Sequence, residues 1–179
     1  MLSVFDGLRS VTTLSVFVRL ACAFICGGII GIERSYKRRP AGFRTHILIC
    51  IGAAITTLTS QYLYLNMHYF TDMARLGAQV VAGIGFIGAG TIIIHRQLVR
   101  GLTTAASLWA TAGIGLAAGA HMYVVAAAAT VLTLFALEVL TLVFGGLGRR
   151  RTMVVFSATK RAAVDEMFNE LQSREYAVI

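Results

Sequence analysis

Apolar residues run in five long blocks, covering residues 11–32, 45–65, 74–94, 101–120 and 122–144. Each is about 20 residues long, which is what a helix needs to cross a hydrocarbon core of about 30 Å. The pattern predicts an all-α polytopic membrane protein with five transmembrane helices. The third and fourth blocks are rich in Gly and Ala, so each is open to a break or a re-entrant course. Beyond residue 148 the pattern changes. Residues 152–158, with Val154, Val155 and Phe156, read as a strand, and 160–174 as an amphipathic helix. That helix has Thr159 as its cap and Val164, Met167, Phe168 and Leu171 at i, i+3, i+4 and i+7. Residues 176–179 begin a second strand. The expected organisation is a membrane domain over 1–148 and a short cytoplasmic α+β segment over 149–179, too small to bury a core alone.

Composition agrees: 57% of residues are hydrophobic and 13% charged, against about 25% charged in a soluble domain. The formal net charge of +8 would suit nucleic acid or the cytoplasmic face of a membrane protein, and the position of the charges decides. Glu33, Arg34, Lys37, Arg38, Arg39 and Arg44 fall between the first two blocks, Arg96 and Arg100 between the third and fourth, and Arg149–Arg151 after the fifth. The intervening connections are nearly free of basic residues. The positive-inside rule then puts the N-terminus outside and the C-terminus in the cytoplasm. Tyr62, Tyr64, Tyr69 and Tyr123 fall at the expected outer interface. The basic loops point to anionic lipid at the cytoplasmic face and away from nucleic acid. The first block lacks a basic leader and an Ala-x-Ala site, so it reads as a signal anchor and not a cleaved signal peptide.

Polar residues inside the blocks are the candidates for function. Arg19 and Glu138 each cost at least ~2–3 kcal/mol at a bilayer centre. Their depths differ, so Arg19 is expected to meet Asp72 on the outer side, and Glu138 to meet Arg34, Arg44, Arg96 or Arg100 on the inner side. Asp72, Arg75 and Gln79 are spaced i, i+3 and i+7 on one helix face. They read equally as a polar site for a cation or partner, and as a helix cap with an ion pair. Gln79, one turn deeper, is expected to face the bundle. Glu33, Arg34, Arg39 and Arg44 form a basic loop, for topology or for a partner or phosphate, and His46 stands just inside it as a structural residue. Gly83, Gly85 and Gly88 match G-x-G-x-x-G, but inside an apolar block with no acidic residue about 20 positions on, the dinucleotide reading fails. Small residues there let helices approach closely in lipid. Gly83, Gly85, Gly88, Gly90 and Gly101 are therefore expected to pack, with blocks three and four as the tight centre of the bundle. Cys22, Cys26 and Cys50 read as packing residues. No nucleophile beside a base, no metal-ligand spacing and no credible phosphate loop emerges, so neither an enzyme nor a resident cofactor is expected.

Three segments together resemble the MgtC/SapB family of bacterial inner-membrane proteins: Arg39-Pro-Ala-Gly-Phe-Arg-Thr-His46, Ala78-Gln-Val-Val-Ala-Gly-Ile-Gly-Phe-Ile-Gly-Ala-Gly90, and Val99-Arg-Gly-Leu-Thr-Thr-Ala-Ala-Ser-Leu-Trp109. Gly31-Ile-Glu-Arg34 and Asp72-x-x-Arg75 are similar too. The resemblance covers roughly residues 14–144. Ala82 stands where the family has serine, and Met73 where it has proline. The third motif adds Arg100, Thr103 and Thr104 to the candidates. The tail resembles the first half of the ACT-like domain found in part of the family. The resemblance implies a non-enzymatic membrane protein linked to growth at low magnesium and survival inside host phagocytes. It implies action through partners, including the membrane sector of the rotary ATP synthase. A homodimer is expected. The alternative is a magnesium-linked cation transporter or channel using Asp72, Gln79 and Glu138.

Overall fold

The computed structural model describes residues 12–68, 72–95 and 98–145, with side chains for all of these except 95, 98 and 140–145. The chain divides into two compact units, Met1–Gly145 and Gly146–Ile179. The expected strand, helix and second strand of the tail lie outside the described residues.

The described part of the first unit is an antiparallel helical bundle. Its elements are α1 (Thr13–Tyr36), α2 (Phe43–Leu65), α3 (Arg75–Thr91), a hairpin of β1 (Ile93–His95) and β2 (Leu98–Arg100), α4 (Leu102–Gly119) and α5 (Tyr123–Gly145). By length and composition α1, α2 and α4 are able to cross a membrane; α3 has 17 residues. Two boundaries differ from expectation. Helix α1 opens on Thr12, whose side chain caps Ser15 N, and continues through Tyr36. Glu33 and Arg34 are therefore helical, not part of the loop. The third apolar block ends in a hairpin, with Ile93 paired to Arg100. Gly101 closes that hairpin at φ 93°, where a side chain would collide with the Thr91 carbonyl. It thus serves a left-handed turn, not helix packing.

Glycines decide which helices approach closely. A methyl added at Gly27 would stand 2.8 Å from Cys50 Cβ and 2.9 Å from the His46 carbonyl, and one at Gly31 would stand 2.7 Å from Phe43 Cα. On the other flank of α2, Gly115 faces the Cys50 carbonyl and Gly119 the Ala54 carbonyl. The tight centre is therefore α1–α2–α4, not α3–α4. Ala23, Cys26, Ile30, Cys50, Ala54, Ile114 and Ala118 fill it, joined by Ala126 and Leu137 of α5.

Helix α3 is peripheral. Only Ile84 and Gly88 are buried on it, Gly88 against Ala105 of α4. Gly83, Gly85 and Gly90, expected to pack, meet nothing within 4 Å, and Ala74, Ala78, Ala82, Gly85 and Ala89 are all exposed. The row of small residues is exposed, and its first members, Ala74 and Ala78, line a groove beside α4 without filling it.

Gly115→Ala is expected to lower stability by about 1–3 kcal/mol, the usual cost of overpacking, whereas Gly85→Ala leaves it unchanged or raises it. Thermal unfolding of the two purified variants in detergent, followed by size exclusion, checks this.

Candidate functional site

Two polar clusters stand at opposite ends of α1. Arg19 and Arg34 are fifteen positions apart on this helix, or roughly 22 Å at 1.5 Å per residue. Both are almost completely buried, at 0% and 2% exposure.

At the end away from the hairpin, Arg19 Nη1 donates to Gln61 Oε1 of α2 and, at 3.0 Å, to the Gly119 carbonyl at the end of α4. Tyr123, which opens α5 after a tight turn, stands beside Arg19, and its ring meets His121 edge-on at 4.8 Å. Four helices thus meet on one guanidinium. The expected partner was Asp72. Instead Asp72 is exposed and its Oδ1 accepts from Ala74 N at 2.9 Å, capping the approach to α3. Helix α1 packs on α2, α4 and α5, which keeps Arg19 away from the start of α3.

The second cluster gathers at the C-terminal end of α1. Arg34 Nη2 donates to Thr104 Oγ1 of α4 at 3.4 Å, and its Nη1 lies 3.8 Å from Glu33 Oε2. Glu33 Oε1 is 3.3 Å from Lys37 Nζ, an i,i+4 pair, and the same ammonium is 2.6 Å from Glu138 Oε2 of α5. His46, fully buried near the start of α2, donates from Nδ1 to the Gly42 carbonyl at 2.9 Å, since a carbonyl can only accept. Its Nε2 is 3.3 Å from Ser107 Oγ, which donates to the Thr104 carbonyl at 2.8 Å. The continuation of α1 through Tyr36 explains the pairing. Glu33 and Lys37 share the face toward α5, and Arg34, 100° further round, faces α4. Glu138 is therefore held by Lys37, not by Arg34, Arg44, Arg96 or Arg100.

The electrostatics are those of an ion network buried at Arg34 and Glu33 and open to the surface at Lys37 and Glu138, with little spare hydrogen bonding at its buried end. The Glu33 carboxylate, 10% exposed, is held by ion pairs alone, and Arg34 Nε makes no hydrogen bond. Such groups are costly to strand. Lys37 lies just outside α1, and its hydrogen bond to Glu138, opposed by desolvation and supported by Glu33, holds its ammonium above the ordinary lysine value of 10.5.

Of the sequence candidates, Glu33, Arg34, His46, Thr104 and Glu138 therefore come together. Arg39, Arg44, Arg100 and Thr103 are exposed, and so are Asp72, Arg75 and Gln79 on α3. Gln79 was expected to face the bundle, but it lies on the side of α3 opposite Ile84. Sequence reasoning missed Lys37 as a clamp, and it missed Ser107, Gln61 and Tyr123 as partners. The i,i+4 spacing of Glu33 and Lys37 was the one available signal.

Between the clusters lies the apolar seam of Ala23, Cys26, Ile30, Cys50, Ala54, Ile114 and Ala118. Two grooves open on the bundle surface. One of about 530 Å³ is lined by Thr57, Met73, Gly77, Ala78, Val81 and Leu116, and one of about 290 Å³ by Val16, Leu20, Ile55, Leu58 and Tyr62. Neither is lined by a charged side chain.

Comparison with known proteins gives a consistent result. The profile of the MgtC family matches residues 20–144. The chain is 44% identical over 131 residues to the Escherichia coli K12 protein named "Putative magnesium transporter YhiD", covering 71% of this chain and 61% of that one. It is 41% identical over 137 residues to an uncharacterized Haemophilus influenzae protein, covering 73% and 57%. It is 42% identical over 119 residues to protein MgtC of Salmonella typhimurium LT2, covering 66% and 49%. The match thus spans between half and three-fifths of the length of these relatives. No solved structure matches it.

Replacing Arg34 by leucine leaves Glu33 buried without its guanidinium. It should destabilise by about 3–5 kcal/mol, and adding Glu33→Leu should restore a good part of that. Denaturant unfolding of the single and double variants measures the coupling. The Lys37 clamp has its own signature. A raised lysine pKa contributes stability that is fully present below 10.5 and is lost as pH rises through the value in the folded chain. Lys37→Met should therefore melt below wild type at neutral pH, and the two curves should converge at strongly alkaline pH.

Proposed function

Because the chain belongs to the MgtC family, whose profile matches residues 20–144, we propose that it is a non-enzymatic regulatory protein of the bacterial inner membrane. It has five spans, an outer N-terminus and a cytoplasmic C-terminus. It supports adaptation to low magnesium and survival inside host cells by binding other membrane proteins, the rotary ATP synthase among the candidates, and it acts as a homodimer. The observation that carries this reading is the dry seam. The charged residues form two separate clusters; between them, among the described residues, no charged side chain lies in the seam, and the buried Thr111 and Thr130 hydroxyls are bonded to helix carbonyls. Ion pairs and hydrogen bonds hold these clusters shut, which suits a rigid docking body better than a carrier. The exposed Arg39, Arg44 and Arg100 at the end where α1 meets α2 supply a surface for anionic lipid or an acidic partner.

The second reading is a magnesium-linked cation transporter, and two observations favour it. One is the name of the Escherichia coli relative. The other is that Glu33 and Glu138 share one ammonium, Lys37, as two carboxylates would share a cation. Against it, Asp72 and Gln79 lie on the outside of α3, away from Glu138.

Two experiments separate the readings. Pull-down from native membranes of cells grown at low magnesium should recover a second membrane protein with the chain. Liposomes holding the folded, purified chain should show no magnesium flux above empty vesicles. Flux abolished by Glu138→Gln would establish the transport reading in its place.

A further inference from the structure

The outer face of α3 carries a pattern that the chain itself leaves unused. Arg75, Gln79, Ala82, Phe86 and Ala89 recur at steps of 4, 3, 4 and 3 along the helix, the heptad spacing that winds two helices around each other. All five are exposed, Phe86 at 86%. The opposite face, with Gly77, Val80, Ile84 and Gly88, is the one packed inward, Gly77 and Gly88 against α4. Gly83 and Gly90, seven apart beside the outer stripe, meet nothing within 4 Å. Glycine lowers helix propensity relative to alanine, and at these positions no contact among the described residues offsets it.

The polar end of the stripe says what should cover it. Asp72 and Arg75 carry opposite charges, and neither forms an ion pair among the described residues. The Gln79 amide has both donor and acceptor and makes no hydrogen bond there either. Acyl chains offer the Gln79 amide no partner, and at the helix end Asp72, beyond its cap on Ala74 N, and Arg75 would have only water and headgroups. A second copy related by a two-fold axis satisfies all three, because an isologous contact places each residue near its own equivalent and its neighbours. Arg75 then meets the other copy's Asp72, and the two Gln79 amides exchange hydrogen bonds. Phe86 enters the gap left by Gly83 and Gly90 of the other copy.

We infer that the outer face of α3, with Gln79 and Phe86 at its centre, is the surface on which two copies of this chain pair in the membrane. This rests on the homodimer proposed above and adds where the two copies touch.

The glycines supply a test that spares the fold. Leucine at Gly83 or Gly90 projects into space that is empty in the single chain, so the melting temperature should hold. In the dimer it fills the place of the Phe86 ring. Energy transfer between donor- and acceptor-labelled full-length chains in vesicles should show dimerisation weakened at least tenfold by Gly83→Leu, and by Gly90→Leu likewise. Single cysteines, introduced in a chain with Cys22, Cys26 and Cys50 replaced, should cross-link in native membranes at 79, 82 and 86 but not at the exposed flank positions 76 and 87. Should the cysteine-free chain fail to fold, energy transfer on the glycine variants decides alone. Transfer that both leucine variants leave unchanged, while the wild type dimerises, overturns this surface and leaves the homodimer standing. A wild type that is monomeric at every density overturns both. Cross-links from 79, 82 and 86 to a different protein, with none between copies, also overturn it.

Discussion

A glycine faces backbone or Cβ atoms at each crossing of α2 with its two neighbours, Gly27 and Gly31 of α1 on one flank and Gly115 and Gly119 of α4 on the other. Lipid offers no hydrophobic force to bring helices together, so close packing and polar contacts must hold them. Both require backbones near enough to touch. These crossings fix the register of three helices at once, and the positions of the charged groups follow from them. With Gly31 against Phe43, the end of α1 lies beside the start of α2, and with Gly115 and Gly119 against Cys50 and Ala54, α4 runs parallel to α2. Only then does Arg34 reach Thr104, and His46 reach Ser107. A side chain at Gly115 would cost packing and would also draw α4, and with it Thr104, away from Arg34.

Much of this was legible from the chain. Apolar runs of about twenty residues announced the helices, and their edges fell within a few positions, because a membrane core imposes one length on every span. Family membership was legible in three long motifs. The choice of packing glycines was not. Blocks three and four are densest in small residues, yet α3 turns most of them outward. The better signal was sparser: Gly27 and Gly31, and Gly115 and Gly119, are each G-x-x-x-G pairs, one on each of the helices that grip α2. Counting small residues rewards abundance, whereas close approach needs two of them one turn apart on the face that meets a neighbour.

The polar residues divide in the same way. That Arg19 and Glu138 would find polar partners followed from the cost of leaving them in lipid, though only Arg19 is buried. Their partners depended on helix rotation, which depth alone does not supply. Extending α1 by one turn put Glu33 and Lys37 toward α5 and Arg34 toward α4. The small hairpin after α3 was hidden because Ile92, Ile93 and Ile94 continue an apolar run, and only the turn at Gly101 marks where the helix must stop.

Charge placement bears on how such a bundle can act. A cation entering from the hairpin end would first have to displace Lys37 from Glu33 and Glu138, then cross a seam of Ala, Cys and Ile side chains whose buried hydroxyls, Thr111 and Thr130, are already bonded to helix carbonyls. Beyond the seam it would meet the Arg19 guanidinium. Each step sets an ion against either a tethered positive charge or an unsolvated passage, and a bare charge in apolar surroundings costs several kcal/mol. The same features cost a docking body nothing. The polar clusters bring four helices together at each end, which holds the outer faces in one arrangement. Lys37 joins α1 to α5, the last described helix before the second unit. Breaking that clamp removes the ion pair between α1 and α5 and leaves the Arg34–Thr104 contact to α4 in place.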